Sequence, residues 1–210
     1  LGAEAYVAYS PTGTLAGLEL LARRRANVCA LHWGGAAHSE QQHALLLRRF
    51  GQHRNWALVR LALREQGIIL RPGLAVSGIE TLAGFDFRWA MRQTGAGSRH
   101  FLESALAAHG FSLSDCSAVA IAHTEREAAG MIARAEADCA PGTRAAAGEF
   151  GLDFLSLGWE AFDLALPREI LFRRLFQRLL QAYGDPPALD LADRLGGYDL
   201  SPLGRLIGLD

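Results

Sequence analysis

Short apolar runs typical of buried strands alternate with segments of helical periodicity along this chain, and that alternation limits the folds available to it. Val28–Leu31, Arg88–Met91 and Val119–Ala122 are such runs, and apolar positions at helical spacing follow each of them. Alternating strands and helices predict an α/β fold with mostly parallel sheets. Further strands are predicted at residues 6–9, 56–62, 67–70, 152–157 and 162–166, with 56–70 alternatively one long bent strand, and a long amphipathic helix at 169–183.

The segment from Phe87 to Arg99 joins a predicted strand to a predicted helix through the small-residue loop Gly95-Ala96-Gly97-Ser98. A helix N-terminus leaves backbone N–H groups unpaired, and the helix dipole adds partial positive charge there. Such a turn suits an oxyanion. Arg92 and Arg99 bracket the loop, and Ser98 adds a hydroxyl donor. The alternative interpretation is a tight turn capped by Ser98, with Arg92 in a surface ion pair.

Three other strand–helix junctions also carry hydrogen-bond donors. They contain Thr12, Gly13 and Thr14; His123 and Thr124; and Thr143 and Arg144. Ligands of open α/β sheets bind beyond the carboxyl ends of the strands. The junctions together therefore predict a donor-lined anion pocket with almost no carboxylate. Glu125 is the exception, and at the first position of a helix its negative charge can instead interact favourably with the helix dipole.

Several of these residues also have a purely structural interpretation. Thr124 is typical of a helix cap, His123 of a histidine whose bonds are satisfied within the fold, and His32 of a residue ending a buried strand. Arg99 and Arg144 lie at predicted helix N-termini, where a cation opposes the dipole. That placement favours a partner anion for each of them.

Composition narrows the functional classes. The 210 residues are 50% hydrophobic, enough to bury a core in one domain or two small lobes. The net charge of −1 argues against nucleic acid or an anionic membrane as a partner of this chain, and no apolar stretch is long enough to span a bilayer. The three cysteines form no CxxC motif, which argues against a disulfide framework. No signal peptide is visible, and since residue 1 is Leu we expect a fragment or a processed form.

Catalytic signatures are missing from the sequence. It contains no GxSxG elbow, no Walker A loop, no HExxH motif and no complete GxGxxG motif. The seven histidines lack the spacing of metal ligands. These observations predict a protein that is not an enzyme and that holds neither a metal nor a cofactor.

Two motifs of this chain are similar to those of a known family: Arg92-Gln93-Thr94-Gly95-Ala96-Gly97-Ser98-Arg99 resembles a (N)RQxGSGTR motif, and Arg64-Glu65-Gln66-Gly67 resembles a REQG crossover. With these motifs, most of the chain resembles the molybdate/tungstate-binding, periplasmic-binding-protein-like domains, which are often fused to a helix-turn-helix regulator. Further matching segments are 13–18, 26–32, 72–73, 151–154, 163–167 and the GGYD-containing 195–199 with Gly204.

The resemblance implies a two-lobed type II periplasmic-binding-protein fold with two mostly parallel sheets joined by crossover strands. Lobe one would comprise residues 1–66 and 165–210, and lobe two residues 67–164. Molybdate or tungstate would bind between helix N-termini in the cleft. Junctions and resemblance together give the predicted ligand-binding residues Thr12, Gly13, Thr14, His32, Arg92, Gly95, Gly97, Ser98, Arg99, His123, Thr124, Arg144 and Tyr198.

The sequence also departs from the family pattern. Ala96 removes a hydroxyl, and the loop from Trp33 to His38 holds Gly-Gly-Ala-Ala where the family has Leu-Asp. The earlier strand and Gly-Ser-His-Asp-like loop of the family have no counterpart before residue 6, so part of the first-lobe site is expected to be missing. These differences predict weakened or retuned binding.

Three functions fit the sequence. The first is an oxyanion-sensing or carrier domain, most simply the cytoplasmic effector domain of a transcriptional regulator. Such a domain would have a fused or separate DNA-binding domain, and we also expect a homodimer. A removed signal peptide would instead indicate a periplasmic receptor. The second is an enzyme acting on a phosphorylated small molecule, and the third is a ligand-free docking or dimerisation module. Phosphate ranks below molybdate, because it carries a proton and only Glu125 offers a carboxylate acceptor.

Overall fold

A computed structural model describes residues 7–83 and 86–208 of the chain. Its helices are α1 (Thr14–Ala22), α2 (Ser39–Leu47), α3 (Ile79–Ala83), α4 (Gly97–Ala108), α5 (Glu125–Ala133), α6 (Arg144–Glu149), α7 (Arg168–Leu171), α8 (Arg174–Gly184) and α9 (Pro186–Leu195). Its strands are β1 (Cys29–Leu31), β2 (Trp56–Leu70), β3 (Arg88–Arg92), β4 (Ser117–Ala122), β5 (Cys139–Thr143), β6 (Asp153–Pro167), β7 (Tyr198–Asp199) and β8 (Leu206–Ile207).

Two 15-residue strands, β2 and β6, form the centre of the molecule. They pair antiparallel from Trp56 opposite Pro167 to Leu70 opposite Asp153, with register shifts after Arg60 and after Gln66. The alternative of one long strand over residues 56–70 is therefore confirmed. The predicted break between residues 157 and 162 is wrong, because the strand continues through it and pairs along its whole length.

The described strands form one connected sheet in the order β1-β6-β2-β5-β3-β4, with β7 and β8 also paired to β2. Within it, only the pairings of β3 with β4 and with β5 are parallel. The α/β class is confirmed, but the expectation of two mostly parallel sheets is wrong in this detail. β2 and β6 run in opposite directions, and β1, β5, β7 and β8 also pair antiparallel with whichever of the two they lie beside.

Buried apolar side chains collect in two regions, which we call the first and second lobes. In the first lobe, α1, β1, α2 and α8 pack around one half of β2 and the end of β6. In the second lobe, α3, α4, α5 and α6 pack around the other half of β2 with β3 and β5. The lobe boundaries at residues 66 and 165 stay a prediction.

Two predicted elements differ in the structure. Residues 7–9 form no strand, and Val7 and Tyr9 are 66% and 82% exposed, so no neighbouring strand holds them; Tyr6 lies outside the described residues. The predicted helix at 169–183 is divided into α7 and α8, because the chain turns at Phe172 and Arg173. Among the described residues, no helix is both long and apolar enough to cross a membrane.

Candidate functional site between the two lobes

The N-terminus of α1 in the first lobe meets the loop before α4 in the second lobe. Gly13, the residue before α1, and Gly95 have φ angles of 78° and 82°, a region that favours glycine. The Leu15 N–H donates to the Gly95 carbonyl oxygen at 3.3 Å. The two predicted glycine junctions therefore lie together, with one helix N-terminus contributed by each lobe.

Gly97 lies tightly against His32 across this contact. A Cβ atom built on Gly97 would overlap both the His32 carbonyl oxygen and its Nδ1 atom. The buried Thr14 hydroxyl donates to the same His32 carbonyl oxygen at 3.2 Å, so His32 is also held from within the first lobe. A glycine at position 97 is thus required for the helix to approach the first lobe this closely.

Arg92 ends β3 with its side chain buried beneath the loop. Its guanidinium donates to the carbonyl oxygens of Ala122 at 3.1 Å and His123 at 2.9 Å, and to the Ser98 hydroxyl at 3.3 Å. Arg92 is 6% exposed and Ser98 1% exposed. Burial lowers the pKa of Arg92, an effect opposed by the Glu125 carboxylate. The surface ion pair considered for Arg92 is therefore wrong, because the side chain is buried.

Glu160, fully buried on β6, organises the first-lobe side of the cleft. Its carboxylate accepts from Arg64 Nε at 2.9 Å and Gln66 Nε2 at 2.9 Å, and lies 2.7 Å from His32 Nδ1. Burial alone would raise the pKa of Glu160, but Arg64, His32 and Gln66 outweigh burial and lower it to about 2. Glu160 is therefore negatively charged near neutral pH and is held among hydrogen-bond donors.

Glu125, the first residue of α5, adds a second carboxylate on the opposite side. It accepts from Gln66 Nε2 at 3.1 Å and from the Thr143 hydroxyl at 3.2 Å. Arg64 NH1 and Arg92 NH1 lie 3.9 and 4.0 Å from its oxygens. The expectation of a pocket with almost no carboxylate is therefore wrong. Two arginines face two carboxylates, so the side chains alone carry little net charge when His32 is neutral.

Arg144 and Arg99 find partners within the protein. Arg144 forms a two-point ion pair with Glu65 and lies over the Phe154 ring, with its Cζ atom 4.8 Å from the ring centre. Arg99 NH1 donates to the Arg92 carbonyl oxygen at 2.9 Å. The partner anion inferred for Arg144 is thus a protein carboxylate.

Other predicted residues surround the cleft in structural roles. Thr124 caps α5 by accepting from the Glu127 N–H at 2.9 Å, which confirms the capping interpretation. His123 is exposed and contributes its carbonyl oxygen to Arg92. The Thr12 hydroxyl bonds only weakly, at 3.4 Å, to the Gly13 carbonyl oxygen. Tyr198 pairs with Arg64 on the sheet, and burial raises its phenol pKa.

Sequence reasoning missed Glu160 as a site residue and treated Arg64 and Gln66 only as part of a motif. Glu160 falls between the two strands predicted at 152–157 and 162–166, in a segment that the sequence pattern does not place in the sheet. The useful signal was the polar pattern Arg64-x-Gln66 inside an apolar strand. Buried charges need partners, so such a pattern indicates a carboxylate on the neighbouring strand. Among the described residues, no group of three histidine, cysteine or acidic side chains is arranged to hold a metal ion.

Comparison with known proteins agrees with this architecture. The family model of the PBP (periplasmic-binding-protein) superfamily domain matches residues 2–184 of the chain. No curated protein matches the chain significantly.

Among solved structures, the PEB3 protein bound to L-phospholactate is 15% identical, with a TM-score of 0.56, covering 89% of this chain and 84% of PEB3. A Clostridium perfringens protein assigned as a phosphate ABC transporter substrate-binding protein, with bound phosphate, is 10% identical, with a TM-score of 0.59 and coverages of 88% and 83%. The effector-binding domain of QuiR with shikimate is 9% identical, with a TM-score of 0.54 and coverages of 87% and 76%. At such identities the likeness concerns the fold alone, and the superfamily match identifies the chain as a member of the periplasmic-binding-protein superfamily with its two-lobed α/β fold.

Proposed function

We propose that this domain binds a small tetrahedral oxyanion, molybdate or tungstate, between its two lobes and acts as a sensing or carrier domain rather than as an enzyme. The observation that carries the proposal is the meeting of the α1 and α4 N-termini above the buried Arg92–Ser98 pair. Helix dipoles converge there from both lobes, and the first-turn N–H groups of each helix have no partner within that helix. In the complex, the anion takes the place of the Leu15 to Gly95 contact.

The charge balance of the cleft defines a second candidate ligand. A fully deprotonated dianion gains nothing from Glu125, whereas a protonated anion can donate a hydrogen bond to it. Hydrogen phosphate or a phosphomonoester is such a ligand. The similar structures bound to L-phospholactate and to phosphate support this candidate.

The biological setting follows from the resemblance in sequence. We infer a cytoplasmic effector domain that transmits lobe closure to a fused or separate DNA-binding domain, within a homodimer. Ligand binding would shift the population between separated and closed lobes. The similar structure of the QuiR effector-binding domain supports a regulatory use of this architecture.

Calorimetric titration of the purified chain with molybdate, tungstate, sulfate and phosphate tests the proposal. Ser98→Ala should weaken molybdate binding about 10- to 100-fold, because a charge-assisted hydrogen bond is lost. Ser104→Ala is the matched control, since Ser104 lies on the same helix and bonds only to the His100 carbonyl oxygen. Absence of binding by all four anions would overturn the oxyanion proposal in favour of a ligand-free docking module.

Glu125→Gln separates the two candidate ligands. It should strengthen the binding of molybdate, because a negative charge leaves the site. It should weaken the binding of phosphate, because the acceptor for the phosphate proton is impaired. Stronger phosphate binding in this variant would exclude the second candidate.

A further inference from the structure

His43 on α2 is a fully buried histidine whose two ring nitrogens are both engaged. Its Nδ1 atom lies 2.7 Å from Asp163 Oδ2, and its Nε2 atom accepts the backbone N–H of Trp33 at 3.1 Å. Because the Trp33 N–H is a donor, Nε2 must carry no proton, and Nδ1 must donate to Asp163. His43 therefore connects the first-lobe core to the loop after β1.

The groups around His43 form a closed structural network. Asp163 on β6 is fully buried and is also paired with Arg60 on β2, whose guanidinium lies 3.1 Å from the Ser39 hydroxyl. Ser39 in turn donates to the Ala36 carbonyl oxygen at 2.8 Å. Ser39 makes no hydrogen bond to His43, so this cluster is not a nucleophile–base pair. The His43–Trp33 bond connects this cluster to the segment that contacts the second lobe.

Trp33 and its neighbour His32 contact the second lobe and β6. The Trp33 ring stacks on His100 of α4, with ring centres 4.1 Å apart and planes 15° apart. His32 bonds to Glu160 and lies against Gly97. A displacement of this dipeptide would therefore change its contacts with His100 and Gly97 of the second lobe.

We propose that His43 is a positioning residue for the cleft: by accepting the Trp33 N–H it fixes the His32–Trp33 segment in the position that holds the lobes together. This inference deepens the proposed function, since the position of this segment sets the width of the ligand cleft. It concerns the ligand-free protein, however, and can be tested without knowledge of the ligand.

The first measurement is amide hydrogen exchange in the ligand-free chain. His43→Leu, which preserves bulk but removes both hydrogen bonds, should lower protection of the Trp33 amide by about tenfold or more while β2 stays protected. His43→Gln, which supplies a donor and an acceptor, should restore part of the protection. His53→Leu is the matched control, because His53 lies in the same lobe and bonds only to the Phe50 carbonyl oxygen.

The second measurement is the distance between spin labels in the two lobes. Leu45→Cys on α2 and Glu103→Cys on α4 provide exposed labelling sites. The native cysteines are buried, and burial raises the pKa of the Cys29 thiol to about 12 and that of Cys116 to about 11, which disfavours the thiolate that reacts with a label. We expect one narrow distance distribution in the parent and in His53→Leu, and a broader, longer one in His43→Leu.

Trp33→Leu keeps the backbone N–H but removes the ring, so it should open the lobes even with His43 in place. This variant tests the proposal should His43→Leu fail to fold. An unchanged distance distribution in folded His43→Leu would overturn the role of His43, and an unchanged one in Trp33→Leu would overturn the route from His43 through the Trp33 ring to the second lobe. Failure of every anion to bind, with these distances changing as expected, would overturn only the proposed function.

Discussion

Single residues in the cleft are stabilised because each buried charge has a partner at hydrogen-bond distance. Glu160 is held by Arg64, Gln66 and His32, and Arg92 by two carbonyl oxygens and Ser98. Removing one member of such a group leaves the others buried without compensation, which costs more than the intact pair contributes. Substitutions here should therefore have large effects.

Glu160→Gln should lower the free energy of unfolding near pH 7 by about 3–5 kcal/mol, because Arg64 stays buried without its counter-charge. The lowered pKa of Glu160, about 2, means that its stabilising contribution is fully present above its ordinary pKa of 4.5. That contribution is lost as the pH falls towards about 2. Urea unfolding at about pH 7, 4.5 and 3 should therefore show a flatter pH dependence in the variant than in the parent.

Asp138 also loses a stabilising charge in acid, since Arg88 lowers its pKa to about 2, so only the difference between parent and variant reports on Glu160. Glu149→Gln serves as the control, because its pairing with the exposed Arg126 should contribute less than about 1 kcal/mol. Equal pH slopes in Glu160→Gln and the parent would contradict the assigned role.

Gly97→Ala should destabilise the protein by about 1–3 kcal/mol, because the new methyl group overlaps the His32 carbonyl oxygen and ring. Gly51→Ala is the control, since a Cβ atom there meets nothing within 4 Å. Urea midpoints of the two variants measure the difference. A Gly97→Ala protein as stable as Gly51→Ala would show that the two lobes do not approach as closely as described.

At the scale of elements, the sequence predicted most helices and strands but not the continuity of the two central strands. The sequence predicts separate strands at 152–157 and 162–166, whereas the structure has one strand that continues across residues 158–161. In the fold, Gly158 lies at a register shift and has a φ angle of 133°. The Glu160 carboxylate is paired with Arg64 on β2. A polar residue paired across a sheet cannot be distinguished from a loop residue until its partner strand is known.

The sequence likewise predicted part of the candidate site but not all of it. The glycine junctions and Arg92–Ser98 were identified because strand–loop–helix order places donors locally. Glu160 and the Arg144–Glu65 pair were not, because their partners are 94 to 128 and 79 residues away in the chain. Contacts at such separations leave no periodic signal in one sequence.

Thr124→Ala should lower the free energy of unfolding by about 1 kcal/mol, because α5 loses the cap on the Glu127 N–H. Thr124→Ser keeps a hydroxyl acceptor and should stay close to the parent. Thermal unfolding of the two variants makes the comparison. If Thr124→Ser lost as much as Thr124→Ala, packing of the methyl group rather than capping would explain the effect.

At the scale of the whole molecule, β2 and β6 tie the two lobes into one sheet. Residues of β2 contribute to cores in both lobes: Leu58 packs in the first and Ile68 in the second. Unfolding one lobe alone would leave half of each long strand without its partners and expose apolar side chains of the other half. We therefore expect the lobes to unfold together, although chains of more than about 150 residues often unfold in several steps.

Single-tryptophan variants can test this cooperativity. Trp56 lies in the core of the first lobe and Trp89 in the core of the second, 3% and 0% exposed respectively. Replacing the other three tryptophans by phenylalanine in each case leaves one reporter per lobe. Urea unfolding followed by the two reporters should give coincident midpoints and slopes, because loss of either core breaks the shared strands. Two separated midpoints would mean that the register shifts after Arg60 and Gln66 allow each half of the sheet to unfold alone.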